Sequence, residues 1–247
     1  MKYSIKVNEV RNGSENTRGL ATVTFGDSFK LNNIAIVNDP REENKVFVSM
    51  PSYKTNETNE KGEPVYKDIF NPITKGFHDE LYANILAAYD TLHNTMAKNS
   101  HTVEYNADDK AMPEFAVRVT PFERDGSTIK GLASITFGGD MVVNNVSIHQ
   151  GKEGLFVSMP SYKTNQVDEQ GKPIHKDFAH PITAKFREKL YTEILQTYEV
   201  AKTEQTQTAE KESVKGKLNK NQDAVKKQDK ADKANTKEKE QPDRDER

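Results

Sequence analysis

The stretch RGLATVTFGDSFKLNNIAI (18–36) returns as KGLASITFGGDMVVNNVSI (130–148). Each copy reads as a β-hairpin. Ala21, Val23 and Phe25 alternate along one face, as do Ala133, Ile135 and Phe137, which is the two-residue period of a half-buried strand. Gly26-Asp27 and Gly138-Gly139 then form turn dipeptides, because tight hairpin turns need positive φ at their centre. Past the turn the apolar parity changes. Phe29 and Leu31 are odd-numbered, Ile34 and Ile36 even, and the switch falls on Asn32-Asn33, mirrored by Asn144-Asn145. One inserted residue produces such a switch, so the pattern predicts a β-bulge or sharp bend at both asparagine pairs.

The duplication extends outward from this hairpin. VFVSMPSYKTN (46–56) matches LFVSMPSYKTN (155–165), and GEPVYKDIFNPIT (62–74) matches GKPIHKDFAHPIT (171–183). FHDELYANILAAYD (77–90) matches FREKLYTEILQTYE (186–199). Upstream, Ile5 and Val7 alternate, as do Phe115, Val117 and Val119, giving a first strand. Val46 to Met50 reads as a fourth strand, and a short fifth piece spans about 65–70, with Pro72 ending it. Thr74 is placed to cap a helix. Phe77, Leu81, Ile85, Leu86 and Tyr89 form its apolar stripe, matched by Phe186, Leu190, Ile194, Leu195 and Tyr198. The fold class is therefore α+β: two tandem small domains, each an antiparallel sheet with a packed C-terminal helix. The expected boundaries are 1–98 and 113–203, joined by a polar linker over 99–112.

Composition limits the rest. The 247 residues contain no cysteine and no tryptophan, so disulfides, zinc ribbons, iron–sulfur clusters and thiol nucleophiles are excluded. No apolar run approaches the ~18–20 residues of a membrane span. The opening MKYSIKVNEV has no secretory apolar region, which points to the cytoplasm. The formal net charge is −2. Residues 201–247 hold 13 Lys/Arg, 11 Asp/Glu and no Phe or Tyr. That segment buries too little apolar area to offset an ordering cost of ~1–2 kcal/mol per residue, so 204–247 is expected to be a disordered charged tail with transient helix. Two readings of the tail stand: a solubilising tail, or an arm contacting nucleic acid, whose interspersed acids weaken it. Residues 1–200 keep 23 basic and 27 acidic residues, a net of −4.

No catalytic constellation emerges. His78, His93, His101, His149, His175 and His180 form no ligand pattern, and none recurs in the other copy, so no metal is expected. There is no nucleophile elbow and no phosphate-binding glycine loop. No cofactor, small-molecule substrate or membrane partner is expected. Lys67-Asp68 and Lys176-Asp177 recur beside a proline turn, where the aspartates are expected to accept local backbone N–H bonds. The ten-residue identity FVSMPSYKTN is the strongest remaining signal. A buried strand accounts for FVSM. For S-Y-K-T-N, read as a polar loop, a turn constraint and a contact surface both remain open. In the second reading Tyr53 and Tyr162 stack on bases. Lys54 and Lys163 contact phosphates beside Thr55 and Thr164, and Lys67 and Lys176 extend the patch.

These same motifs, A-x-I/V-T-F, N-N-I/V, F-V-x-M-P-S-x-K-T, K-D-I/F-x-H/N-P-I and a closing F-x-x-x-L helix, resemble the SpoVG family of bacterial sporulation and septation regulators. The resemblance covers almost all of both copies and none of the tail. It implies a small self-associating α+β domain that binds DNA or RNA, with regulatory roles in sporulation and septum formation and no enzyme activity. The alternative is a protein-interaction module derived from the same fold. One departure stands out. The family carries two adjacent basic residues after M-P-S, whereas here the first is Tyr53 or Tyr162. Because single-copy relatives are implied to dimerise, the two copies are expected to pair within one chain.

Overall fold

Both hairpins form in the computed structural model, which describes residues 1–10, 16–95, 100–109, 112–122 and 124–208. The first copy contributes β1 (Tyr3–Glu9), β2 (Thr17–Phe25), β3 (Phe29–Asn38), β4 (Val46–Ser49), β5 (Ser52–Thr58), β6 (Pro64–Asp68), β7 (Phe70–Pro72) and α1 (Lys75–Asn94). Strand β8 (Ser100–Tyr105) follows. The second copy contributes β9 (Phe115–Pro121), β10 (Ile129–Phe137), β11 (Met141–Gln150), β12 (Leu155–Ser158), β13 (Ser161–Val167), β14 (Pro173–Asp177) and β15 (Ala179–Pro181). A second helix, α2, covers 184–199. Met1–Glu199 is one compact unit, and Val200 opens another, of which 200–208 are described and helical. The tail expected over 204–247 lies, from 209 onward, outside the described residues.

The local predictions rest on backbone angles. Gly26 and Asp27 have φ of 48° and 53°, and Gly138 and Gly139 have 57° and 76°, a left-handed pair at the centre of the tight turns that join Phe25 to Phe29 and Phe137 to Met141. The bulge is where the parity switch placed it. Ala21 pairs with Ile34 and Val23 with Leu31, so Thr22 alone faces Asn32 and Asn33. Ser134 likewise faces Asn144 and Asn145. Asn33 and Asn145 take φ of 63° and 59°, a region asparagine enters more readily than other side chains.

The bulge turns backbone toward the other copy. In the first sheet the order is β15-β3-β2-β1-β8, with β4 also on β3; in the second it is β12-β11-β10-β9, with β7 also on β11. Thus β7 leaves its own copy and pairs with β11 (Phe70↔Val143, Pro72↔Met141), while β15 pairs with β3 (Ala179↔Leu31, Pro181↔Phe29). The freed N–H of Asn32 donates to the carbonyl of Phe178 at 2.7 Å, and that of Asn144 to Ile69 at 2.7 Å. The Nδ2 groups of Asn32 and Asn144 reach the carbonyls of Asp177 and Asp68 at 3.1 and 3.4 Å. Among the described residues neither aspartate's carboxylate accepts a backbone N–H, the role expected of it; their main-chain oxygens accept from the opposite copy instead.

One core results. Phe29 lies 4.6 Å from Phe137 and 6.2 Å from Phe186, and Phe25 lies 5.8 Å from Phe137. The helix stripes close this core: Phe77, Leu81, Ile85 and Tyr89 are buried on α1, and Phe186, Leu190, Ile194 and Tyr198 on α2, while Leu86 and Leu195 are only partly covered. Thr74 does sit at the N-cap, but its hydroxyl donates to Asp140 Oδ1 of the second copy at 2.7 Å instead of capping. Thr183 accepts from the Phe186 N–H at 3.4 Å.

Six residues of the 99–112 stretch, expected as a polar connection, are strand. β8 pairs antiparallel with β1, Tyr3 facing Tyr105 and Asn8 facing Ser100. Val103 and Tyr105 alternate with polar neighbours, and Tyr105 stacks on Tyr3 at 5.1 Å. A polar composition masked that short alternation.

Candidate nucleic-acid interface

S-Y-K-T-N is not a loop. It is β5 in one copy and β13 in the other, each the first strand of a two-stranded ribbon with β6 or β14. Because its side chains lack a strong apolar alternation, only the pairing shows it as strand. Tyr53 faces Lys67 and Lys54 faces Tyr66; Tyr162 faces Lys176 and Lys163 faces His175. Directly opposed residues project to the same side of a ribbon. Tyr53 and Lys67 therefore share one face and Lys54 points from the other, and the second ribbon repeats this split. The eight candidate residues form two faces per ribbon instead of one patch.

The threonines have a visible local task. Thr55 Oγ1 donates to the Val65 carbonyl at 2.9 Å and accepts from the Glu57 N–H at 3.2 Å. Thr164 does the same with Ile174 and Gln166. Both span the point where the ribbon register slips. Their recurrence follows from ribbon geometry, and their hydroxyls are already engaged.

The Tyr53–Lys67 face opens on a groove of about 570 Å³ whose far wall belongs to the second copy: Arg118 and Thr120 of β9, Leu132 and Ser134 of β10. Asn144 of the bulge and Asp68 also line it. Burial pushes the Asp68 carboxyl above its usual range. Lys67 pairs with Glu57 at 3.1 Å. In the second ribbon Gln166 stands where Glu57 does, and Lys176 makes no ion pair among the described residues. Arg118 was not among the expected site residues. Its counterpart in the repeat is Lys6, so an outward-facing basic residue on the first strand of both copies was the available signal. Around the 52–68 ribbon four acids meet three lysines, and around 161–177 three acids meet three lysines. No group of three or more His, Asp or Glu side chains among the described residues could hold a metal. No helix among them is long and apolar enough to cross a membrane.

Comparison with known proteins gives the same outline. A sequence profile of the SpoVG family matches residues 1–91 and again 112–200. A putative septation protein SpoVG of Clostridium kluyveri is 40% identical over 95 residues, 38% of this chain and 92% of its own length. That of Clostridium beijerinckii is 39% identical over 89 residues, 36% of this chain and 90% of its own. That of Treponema denticola is 40% identical over 82 residues, 33% and 77% respectively. Each relative is thus about one copy long. With its motifs, its bulged hairpins and both halves matched, the chain belongs to the SpoVG family and carries the family unit twice.

Proposed function

We propose that the protein is a non-enzymatic, nucleic-acid-binding regulator connected with septation, in which one chain supplies the paired surface that single-copy relatives build from two. The observation that carries this reading is the groove in which Tyr53 and Lys67 of one copy face Arg118 of the other. A half-buried ring and two cations lining one groove suit a single strand: the ring stacks on a base and the cations follow the phosphates. The net negative charge of residues 1–200 makes such binding local and salt-sensitive rather than a property of overall charge. Electrophoretic mobility with single-stranded DNA, duplex DNA and RNA at two salt concentrations tests it. A retarded complex that weakens with salt supports the reading.

A second reading, a protein-interaction module, is favoured by the acid-rich first ribbon and by Tyr66, which is 62% exposed on the Lys54 face. Absence of any retarded complex, with the fold intact, selects this one.

A further inference from the structure

The two copies differ at one edge. In the first, β8 covers β1, and Tyr3, Ile5 and Val7 are fully buried. In the second, the sheet ends at β9, and among the described residues no strand pairs with its outer edge. The counterparts are correspondingly less covered: Phe115 and Val117 are half-buried and Val119 retains 8% exposure. A seven-residue edge with unpaired backbone groups beside a partly open apolar row is a template for one more strand. The chain itself shows that this fold accepts a strand there, since β8 does so in the first copy.

The geometry points to β9 as a docking edge for an extended segment of a partner protein, added as an antiparallel sixth strand. The register of β8 on β1 transfers directly: what faces Tyr3, Ile5 and Val7 there are Tyr105, Val103 and His101. The occupant therefore presents apolar or aromatic side chains at alternate positions, facing Phe115 and Val117. Its intervening position opposite Arg118 is acidic. Arg118 projects outward on β9, and Lys189 Nζ lies 5.3 Å over the Phe115 ring. The two cations lie on opposite faces of β9; Arg118, on the outer one, attracts an acidic residue at the position facing it and disfavours pairing of β9 with the same edge of a second copy in a register that opposes the two arginines.

The test uses the full chain and labelled peptides made from residues 100–106, SHTVEYN. One peptide carries Thr102→Glu, which faces Arg118 in the transferred register; the other carries Thr102→Lys. Fluorescence anisotropy should show the acidic peptide binding on the order of three- to tenfold more tightly, as expected for one cross-strand pair changing from attractive to repulsive. The chain variant Arg118→Glu should reverse that preference. The amides of Phe115, Val117 and Val119, which point away from β10, should gain exchange protection only with peptide present. Equal affinity of the two peptides, a preference unaltered by Arg118→Glu, or protection of the Phe115, Val117 and Val119 amides in the peptide-free monomer overturns the proposal. A particle mass of twice 27.9 kDa with the Phe115, Val117 and Val119 amides protected also overturns it, because a second copy is then the occupant.

Discussion

Asn32 and Phe178 lie in different copies, yet the backbone N–H of the first meets the carbonyl of the second at 2.7 Å. The bulge that frees this N–H needs a left-handed residue next to it, and Asn33 supplies one at φ 63°. Local backbone conformation and inter-copy pairing are thus one feature. Replacing Asn33 with Val puts a β-branched side chain in that region at a cost of about 1–2 kcal/mol, whereas Asn33→Gly should be nearly neutral. Urea unfolding of both variants checks the difference; equal stability would detach the bulge from the pairing.

The shared aromatic core makes a stronger prediction. Phe29 is fully buried between residues of both copies. Phe29→Ala should cost about 3–5 kcal/mol. Unfolding should remain one transition whether followed in the first or the second copy. Two separated transitions would mean that each copy is stable alone.

His180 gives the pairing a pH dependence. It sits in β15 opposite Lys30, with its Nδ1 buried and unbonded. Burial lowers its pKa from 6.5; Asp177 opposes this, and Lys30 and Arg187 reinforce it. With the folded pKa depressed for a base, the unfolded chain binds the extra proton first. Stability is therefore full above about pH 6.5 and falls as pH drops below it. His180→Asn, the residue its counterpart Asn71 already is, should flatten that part of the stability–pH profile. An unchanged acid limb in this variant counts against the assignment.

The candidate residues separate by face. Lys54→Ala with Lys163→Ala removes two exposed cations from the ribbon faces that point away from the groove, and should weaken nucleic-acid binding less than Lys67→Ala with Arg118→Ala does, leaving unfolding within about 0.5 kcal/mol of the parent chain. Thr55→Ala with Thr164→Ala should act in the opposite sense, lowering stability by about 1 kcal/mol per lost hydroxyl bond. Unchanged affinity in the lysine pair removes Lys54 and Lys163 from the interface.

The hairpins, bulges and helix stripes were legible because each is written in near neighbours: an apolar period, a glycine turn, a parity switch. The partner of a strand is not written that way. Phe70 to Pro72 looks like the end of its own unit, and only the register with Val143 and Met141 shows that it belongs to the other sheet. Ser52 to Thr58 read as loop because a ribbon exposed on both sides has no apolar face to announce it. Arg118 was missed for a different reason. It shares a groove with Tyr53 only through the exchange of β7, which brings the first ribbon over the second sheet.

That shared groove is the centre of the account, and the salt dependence of single-strand binding tests it most directly. If Lys67 and Arg118 contact the same strand from opposite copies of a monomeric chain, Lys67→Ala with Arg118→Ala should reduce the slope of log K against log salt by about 1.4, at ~0.7 per phosphate contact. An unchanged slope, or a parent chain that binds no single strand at low salt, would contradict it.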